Sequence, residues 1–156
     1  MLRANFRGNR QVAVHLRDGY EAIGAFLPPK EKRGLVLIDP PYEHGHEFSR
    51  LTQALLEGYE RFRGGVFAAW YPIKHRAPVR AFHQAVSDAG LRNVVAAELL
   101  LREPLDADRL NGCGLLVVNP PWRFEDEAEP ILAALAARLT MAEPGAGFQV
   151  KRVVSE

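Results

Sequence analysis

The chain has 156 residues, of which 47% are hydrophobic and 25% charged, and a formal net charge of +1. That length suits one domain rather than two, the composition is that of an ordinary soluble globular chain, and the near-zero charge excludes a global field drawing the protein to nucleic acid or membrane. Cys113 is the only cysteine, which excludes an internal disulfide and leaves no Cys or His at zinc-ligand spacing beside it. The polar, Arg-rich start is not a signal peptide, and no apolar run reaches the length of a bilayer span, so a cytoplasmic location is expected.

Basic character is lopsided, with sixteen Arg against four Lys. Arg carries a planar fork suited to phosphate and to stacking on bases, although genome composition produces the same bias. Residues 1–10 read as the end of a helix and a turn at Gly8-Asn9. Gln11 to Leu16 alternates, with Val12, Val14 and Leu16 on one side, and predicts a short strand. Asp18-Gly19 follows. On spacing alone Asp18 is read first as the N-cap of the next helix. The other reading is a carboxylate and an open backbone that hydrogen-bond an adenine edge. Tyr20 to Leu27 predicts that helix, with Tyr20, Ile23, Phe26 and Leu27 on one face, closed by Pro28-Pro29.

The central stretch is Gly34 to Tyr42, Gly-Leu-Val-Leu-Ile-Asp-Pro-Pro-Tyr. A short apolar run bounded by turn residues predicts a strand buried on both faces. The prolines cannot extend a ladder, so the strand stops near Asp39. In an open α/β sheet the carboxyl ends of the strands are where ligands sit. Glu43 to Glu47 (Glu-His-Gly-His-Glu) is expected to be a mobile substrate loop; a Gly-centred loop does not fix two His as metal ligands, and no metal site is predicted.

Phe48 to Phe62 carries Phe48, Leu51, Leu55, Tyr59 and Phe62 at helical spacing and ends at Gly64-Gly65. Val66 to Tyr71 predicts a buried strand ended by Pro72, with Trp70 and Tyr71 at the ligand end. Lys74-His75-Arg76 opens a basic segment, and Pro78 suits the first turn of a helix that runs to about Ala89 with Val79, Phe82 and Val86 buried. Val94 to Leu101 predicts another strand, and residues 102–111 an exposed hairpin-like connection. Gly112 to Trp122 repeats the central pattern with Asn119 in place of the acid, followed by Pro120-Pro121-Trp122. A helix over about 126–139 and a partly exposed strand over 148–154 complete the chain. Strands alternating with helices imply a mostly parallel α/β sheet with helices on both faces.

Asp-Pro-Pro-Tyr at the end of a buried strand is the motif of enzymes that methylate exocyclic amines of bases. With Asp18-Gly19, Leu35 to Glu43, Glu57-Gly58-Tyr59, Trp70-Tyr71-Pro72 and Val117 to Trp122 in this order, the chain resembles the large-subunit ribosomal RNA adenine-N6 methyltransferases of the RlmJ type. The resemblance implies a Rossmann-like class I methyltransferase fold, S-adenosylmethionine as methyl donor and an adenine of rRNA as acceptor. It implies that Asp39 is catalytic, that Pro40, Pro41 and Tyr42 receive the substrate base, and that Asp18, Gly19 and Asp39 touch the cofactor; this displaces the plain-cap reading of Asp18. Arg7, Arg10, Arg33 and Lys74 to Arg76 are candidates for phosphate contacts, with a solvated surface as the alternative. The family's Gly-rich loop has no counterpart, so residues 1–156 are expected to be one domain that forms the carboxyl-terminal part of an incomplete sheet. The rival readings are a catalytically silent fragment or nucleic-acid-binding module, a protein linked to the use of external DNA, and a DNA adenine methyltransferase.

Overall fold

The apolar runs come together as one five-stranded sheet. The computed structural model describes residues 2–43, 45–141 and 143–156. The elements in order are α1 (Leu2–Asn5), α2 (Gly19–Phe26), β1 (Leu35–Ile38), α3 (Glu47–Arg61), β2 (Val66–Ile73), α4 (Arg76–Asp88), β3 (Val94–Leu100), β4 (Gly112–Val118), α5 (Phe124–Leu139) and β5 (Gly147–Val154). The strand order is β1-β2-β4-β3-β5.

The fold is α/β, but the sheet is mixed and not mostly parallel. Among the described strands only β1 and β2 pair in parallel; β2–β4, β4–β3 and β3–β5 are antiparallel. The cause lies in the connections. β2, α4 and β3 form a crossover that keeps one direction. The link from β3 to β4 carries no helix, so the chain turns straight back and β4 enters between β2 and β3 in the opposite sense.

Three further expectations change. Gln11 to Leu16 forms no strand: no strand among the described residues pairs with it, and Leu16 is 93% exposed. β1 is an edge strand and is not buried on both faces. Leu35 and Leu37 are each 67% exposed, while Val36 and Ile38 turn toward the core. Pro72 lies inside β2, opposite Cys113 of β4. β1 ends at Ile38, opposite Ala69, so past that point β2 has a free side where a missing N–H costs no ladder bond.

The core lies between the sheet and α3 and α4. Leu51 and Leu55 of α3 and Val86 of α4 are fully buried against Phe67 and Tyr71 of β2, with Phe82 2% exposed beside them. Burial of each such side chain stabilises the fold by about 1.5–3 kcal/mol. Gly58 of α3 lies so close to the Phe67 ring that a Cβ there would displace it. His75 caps α4 by accepting from the Ala77 N–H at 3.2 Å, and Gly90, at φ +79°, ends it. α5 starts at Phe124 rather than near Asp126 and covers the other face only in part, leaving Ile131 and Leu139 59% and 54% exposed.

One polar cluster crosses the core. The Tyr71 hydroxyl donates to Glu98 Oε1 at 2.7 Å and lies 3.1 Å from His83 Nε2, and Gln149 donates to Glu98 Oε2. Tyr71, Gly114 and Glu98 are consecutive partners across β2, β4 and β3. A side chain at Gly114 would occupy the place of the Tyr71 ring, so the glycine opens the path between tyrosine and glutamate. Burial, then the nearby Lys151 charge, pulls the His83 pKa down to about 4, and burial pushes the Tyr71 phenol up. No helix among the described residues is long and apolar enough to cross a membrane.

Candidate active site

Asp39 directly follows the last residue of β1, and the two prolines stop the strand there. Its side chain is exposed and has no ion-pair or hydrogen-bond partner among the described residues. It lines an open cavity of about 700 Å³ together with Gly19, Tyr20, Pro40 and Pro41 and the apolar Ile23 and Leu37. That volume is within the range of small-molecule sites, roughly 300–1,000 Å³. At Gly19 an added Cβ would meet nothing within 4 Å, so the backbone is open to close approach. An open depression of this size, with one free carboxylate and an open glycine backbone in its lining, has room for a nucleoside-sized ligand.

Asp18 sits at the lip of the cavity and does two jobs in the fold. Its Oδ1 accepts from the Tyr20 N–H at 2.8 Å and the Glu21 N–H at 3.3 Å, capping α2. Its Oδ2 is 3.4 Å from the Arg50 guanidinium. The Tyr20 backbone bond, then that of Glu21, holds the Asp18 carboxyl below the usual range. The cap expected from spacing is therefore present, and it fixes the Asp18-Gly19 turn against the cavity.

Arg50 extends this fixation to α3. It lies 3.5 Å from Glu47 Oε1 and its guanidinium carbon is 4.3 Å from the centre of the Tyr20 ring. The Tyr20 hydroxyl donates to Glu47 Oε1 at 3.5 Å. Burial, then the Glu47 charge, pushes the Tyr20 phenol up to about 12. Glu47 is only 2% exposed. It opens α3, where a carboxylate suits the positive end of the helix dipole. This corrects the mobile loop expected over Glu43 to Glu47: Glu47 is helical and buried, and His44 lies outside the described residues. The clasp of Glu47 and Arg50 was not expected. Its sequence signal is an acid in the first turn of a helix followed three residues later by an arginine.

Tyr42 adopts φ +54°, which swings its ring away from the line of the strand. Its hydroxyl donates to the Trp70 carbonyl at 2.7 Å, and its ring meets Phe48 and Trp70 at centroid distances of 5.4 and 5.8 Å. Burial raises its phenol pKa first of all, followed by the nearby Tyr20 hydroxyl, so the ring is a neutral, half-buried group packed on Phe48 and Trp70, one residue past the prolines that line the cavity. Gly19, Asp39, Pro40 and Pro41 thus share one cavity, with Asp18 and Tyr42 on its margins.

Asn119, the rival for the role of Asp39, is on the opposite rim. β4 runs antiparallel to β2, and its last residue, Val118, pairs with Phe67 near the start of β2. The Asn119 amide donates to the carbonyls of Arg63 and Gly65 at 2.8 and 3.0 Å, tying down the turn between α3 and β2.

A family model described as ribosomal RNA large subunit methyltransferase D, RlmJ, matches residues 1–154. Ribosomal RNA large subunit methyltransferase J of Haemophilus influenzae is 38% identical over 139 residues, which is 89% of this chain and 50% of the relative. The protein of the same name from Escherichia coli is 33% identical over 145 residues, 93% of this chain and 52% of the relative. A crystal structure of a Legionella pneumophila protein superposes with a TM-score of 0.76 at 33% identity, covering 86% of this chain and 49% of that one. The chain spans about half the length of the curated relatives it matches.

Proposed function

The chain belongs to the RlmJ family of ribosomal RNA large subunit methyltransferases, and from that premise we propose that it forms the acceptor-activating part of an enzyme that methylates the exocyclic N6 amine of an adenine in large-subunit rRNA. The observation that carries this reading is the free Asp39 carboxylate, followed by two prolines and lining the same cavity as the open Gly19 backbone. S-adenosylmethionine, when bound, supplies the methyl group from its sulfonium. Gly19 and the Asp18 turn would hold the nucleoside part, with the carboxylate of Asp18 fixing the turn.

An adenine in a stacked strand presents no free amine, so the base must be turned out of the stack. Tyr42, anchored through its hydroxyl, offers a flat wall for it. Asp39 and the Pro40 carbonyl accept hydrogen bonds from the two amine protons, which aims the nitrogen lone pair at the incoming methyl. Orientation of this kind supplies much of the rate in a transfer between two bound groups. As the N–C bond forms and the methyl leaves the sulfonium, which departs as a neutral thioether, the Asp39 carboxylate stabilises the positive charge on nitrogen in a position set before the reaction begins. The surplus amine proton passes out to solvent past the exposed carboxylate.

Asp39→Ala in the intact protein is expected to lower transfer of labelled methyl from S-adenosylmethionine to unmethylated rRNA by at least about 10³-fold, with an unchanged far-ultraviolet dichroism spectrum. Retained turnover rejects the assignment. The same assay on deproteinised rRNA and on DNA separates the rRNA reading from a DNA methyltransferase. The bare edge of β1 and the exposure of Leu35 and Leu37 favour a second reading for residues 1–156 taken alone, a module that does not retain cofactor. Calorimetry with S-adenosylmethionine on these residues decides it: clear heat of binding excludes the module.

A further inference from the structure

Among the described residues, five arginines are tied to acids: Arg50 to Asp18 and Glu47, Arg61 to Glu57, Arg102 to Glu143, Arg123 to Glu127 and Arg152 to Glu125. Other arginines carry no such tie, and among these Arg76 and Arg80 stand four residues apart on one helix. Both are exposed, and neither has an ion-pair or hydrogen-bond partner among the described residues. Together with Lys151 they line a depression of about 220 Å³ between α4 and β5, floored by Val79 and Glu98.

The placement of these charges is unfavourable in the free protein. Arg76 is the first residue of α4, whose first turn carries no acid, so a cation sits at the positive end of the helix dipole. Arg80 is four residues on, where like charges face each other and repel. Lys151 has one partial counter-charge, Glu98 Oε1 at 3.9 Å, and that carboxylate is already held by Tyr71 and Gln149. An anion in the depression relieves the repulsion and completes the helix terminus at once.

The depression lies on the rim of the sheet that carries Asp39. Lys151 pairs with Ala96, Ala96 with Leu116, Leu116 with Ala69, and Ala69 with Ile38, the residue before Asp39. Four strand spacings separate them, roughly 19 Å. A few nucleotides flanking a base held at Asp39 cover that span.

We propose that Arg76, Arg80 and Lys151 form a backbone-phosphate site for the RNA on one side of the target adenine. The proposal rests on the RNA reading above and adds the path of the strand. Lys74 to Arg76 alone, the basic run singled out from sequence, does not make this site: His75 is spent on capping α4, while Arg80 and Lys151 come from a turn further along α4 and from the last strand. Arg forks suit phosphate oxygens, and Glu98 restrains Lys151 without cancelling the two arginines.

The test is the double variant Arg76→Gln/Arg80→Gln in the intact protein, with affinity for an unmethylated rRNA fragment measured by fluorescence anisotropy across a salt series. The site predicts roughly tenfold weaker binding near 0.1 M salt. It also predicts a shallower dependence of log K on log salt, by about 0.7–0.9 for each phosphate that is no longer neutralised. Binding energy removed equally from ground and transition states raises KM and leaves kcat unchanged at saturating RNA. Lys at both positions should restore most of the salt slope, which a merely structural role would not require. Affinity and slope equal to the parent's overturn the site while leaving the methyltransferase reading intact. A parent protein that neither binds nor methylates rRNA overturns both.

Discussion

Asp39-Pro40-Pro41-Tyr42 and Asn119-Pro120-Pro121-Trp122 are nearly the same sequence, and they stand at opposite rims of one sheet. Each follows an apolar strand, but the residue held at positive φ is the last of the first segment, Tyr42 at 54°, and the first of the second, Asn119 at 53°. Their chemistry diverges because β1 and β4 run in opposite directions. The first turn opens on a cavity and leaves its carboxylate free; its aromatic ring is braced by Trp70 and Phe48. The second spends its amide on two backbone carbonyls and leaves its ring in solvent. What a motif does is decided by the direction of the strand that carries it and by what stands at that rim.

The sharpest way to break the comparison is to make the first turn read like the second. Asp39→Asn keeps size and hydrogen-bond reach and removes only the charge. If Asp39 stabilises charge developing on the amine, kcat should fall by about 10²–10³, the range for removing one preorganised electrostatic partner, with stability unchanged because the parent carboxylate holds no described partner. Single-turnover methyl transfer measures it. A variant with near-parental kcat would mean that an amide serves as well as an acid, and the argument for preferring the first turn would fail.

The reverse exchange acts on the fold. Asn119→Asp places carboxylate oxygens against the Arg63 and Gly65 carbonyls, where the parent amide donates twice. Loss of two bonds at a half-buried position, with a charge facing acceptors, should cost about 1–3 kcal/mol in urea unfolding at neutral pH. The new carboxyl has a folded-state pKa raised above its unfolded value. Its protonated form is therefore favoured in the native state, and the deficit should shrink as the pH falls through that pKa. No methyl transfer should appear at the second turn, because the cavity with the open Gly19 backbone lies at the other rim.

These exchanges also show what the sequence made legible. Helical spacing located α3 and α4 almost to the residue, because Leu51, Leu55, Phe82 and Val86 fill one side of each. The prolines placed Asp39 at a strand end. The direction of β4 was legible only from the hairpin-like link read over residues 102–111, which the antiparallel β3–β4 pair bears out. Gly-Cys-Gly-Leu-Leu-Val-Val itself has the same apolar signature whichever way it runs. Burial misled at β1, where Leu35 and Leu37 are apolar yet face outward because the strand lies at the sheet edge. Alternation misled at Gln11 to Leu16, where period two had no partner strand to make it a sheet. Long-range polar groups were silent too: Glu47, Tyr71, His83 and Glu98 find their partners only once distant elements pack.

The mildest test concerns Trp122, which looks by analogy with Tyr42 like a second ring for stacking a base. It is 87% exposed, and the guanidinium carbon of its neighbour Arg123 lies 5.6 Å from its ring centre. Three acids, Glu125, Asp126 and Glu156, line the same depression against Arg123 and Arg152, and Arg152 is already paired with Glu125, so the depression offers phosphate no net attraction. Trp122→Ala should therefore shift unfolding by no more than about 0.5 kcal/mol, as for a surface substitution away from a packed feature. RNA affinity and kcat should stay within about twofold of the parent, a change of about 0.4 kcal/mol. A tenfold loss of affinity would mean that the RNA wraps both rims, and the separation between a chemical turn and a structural one would no longer hold.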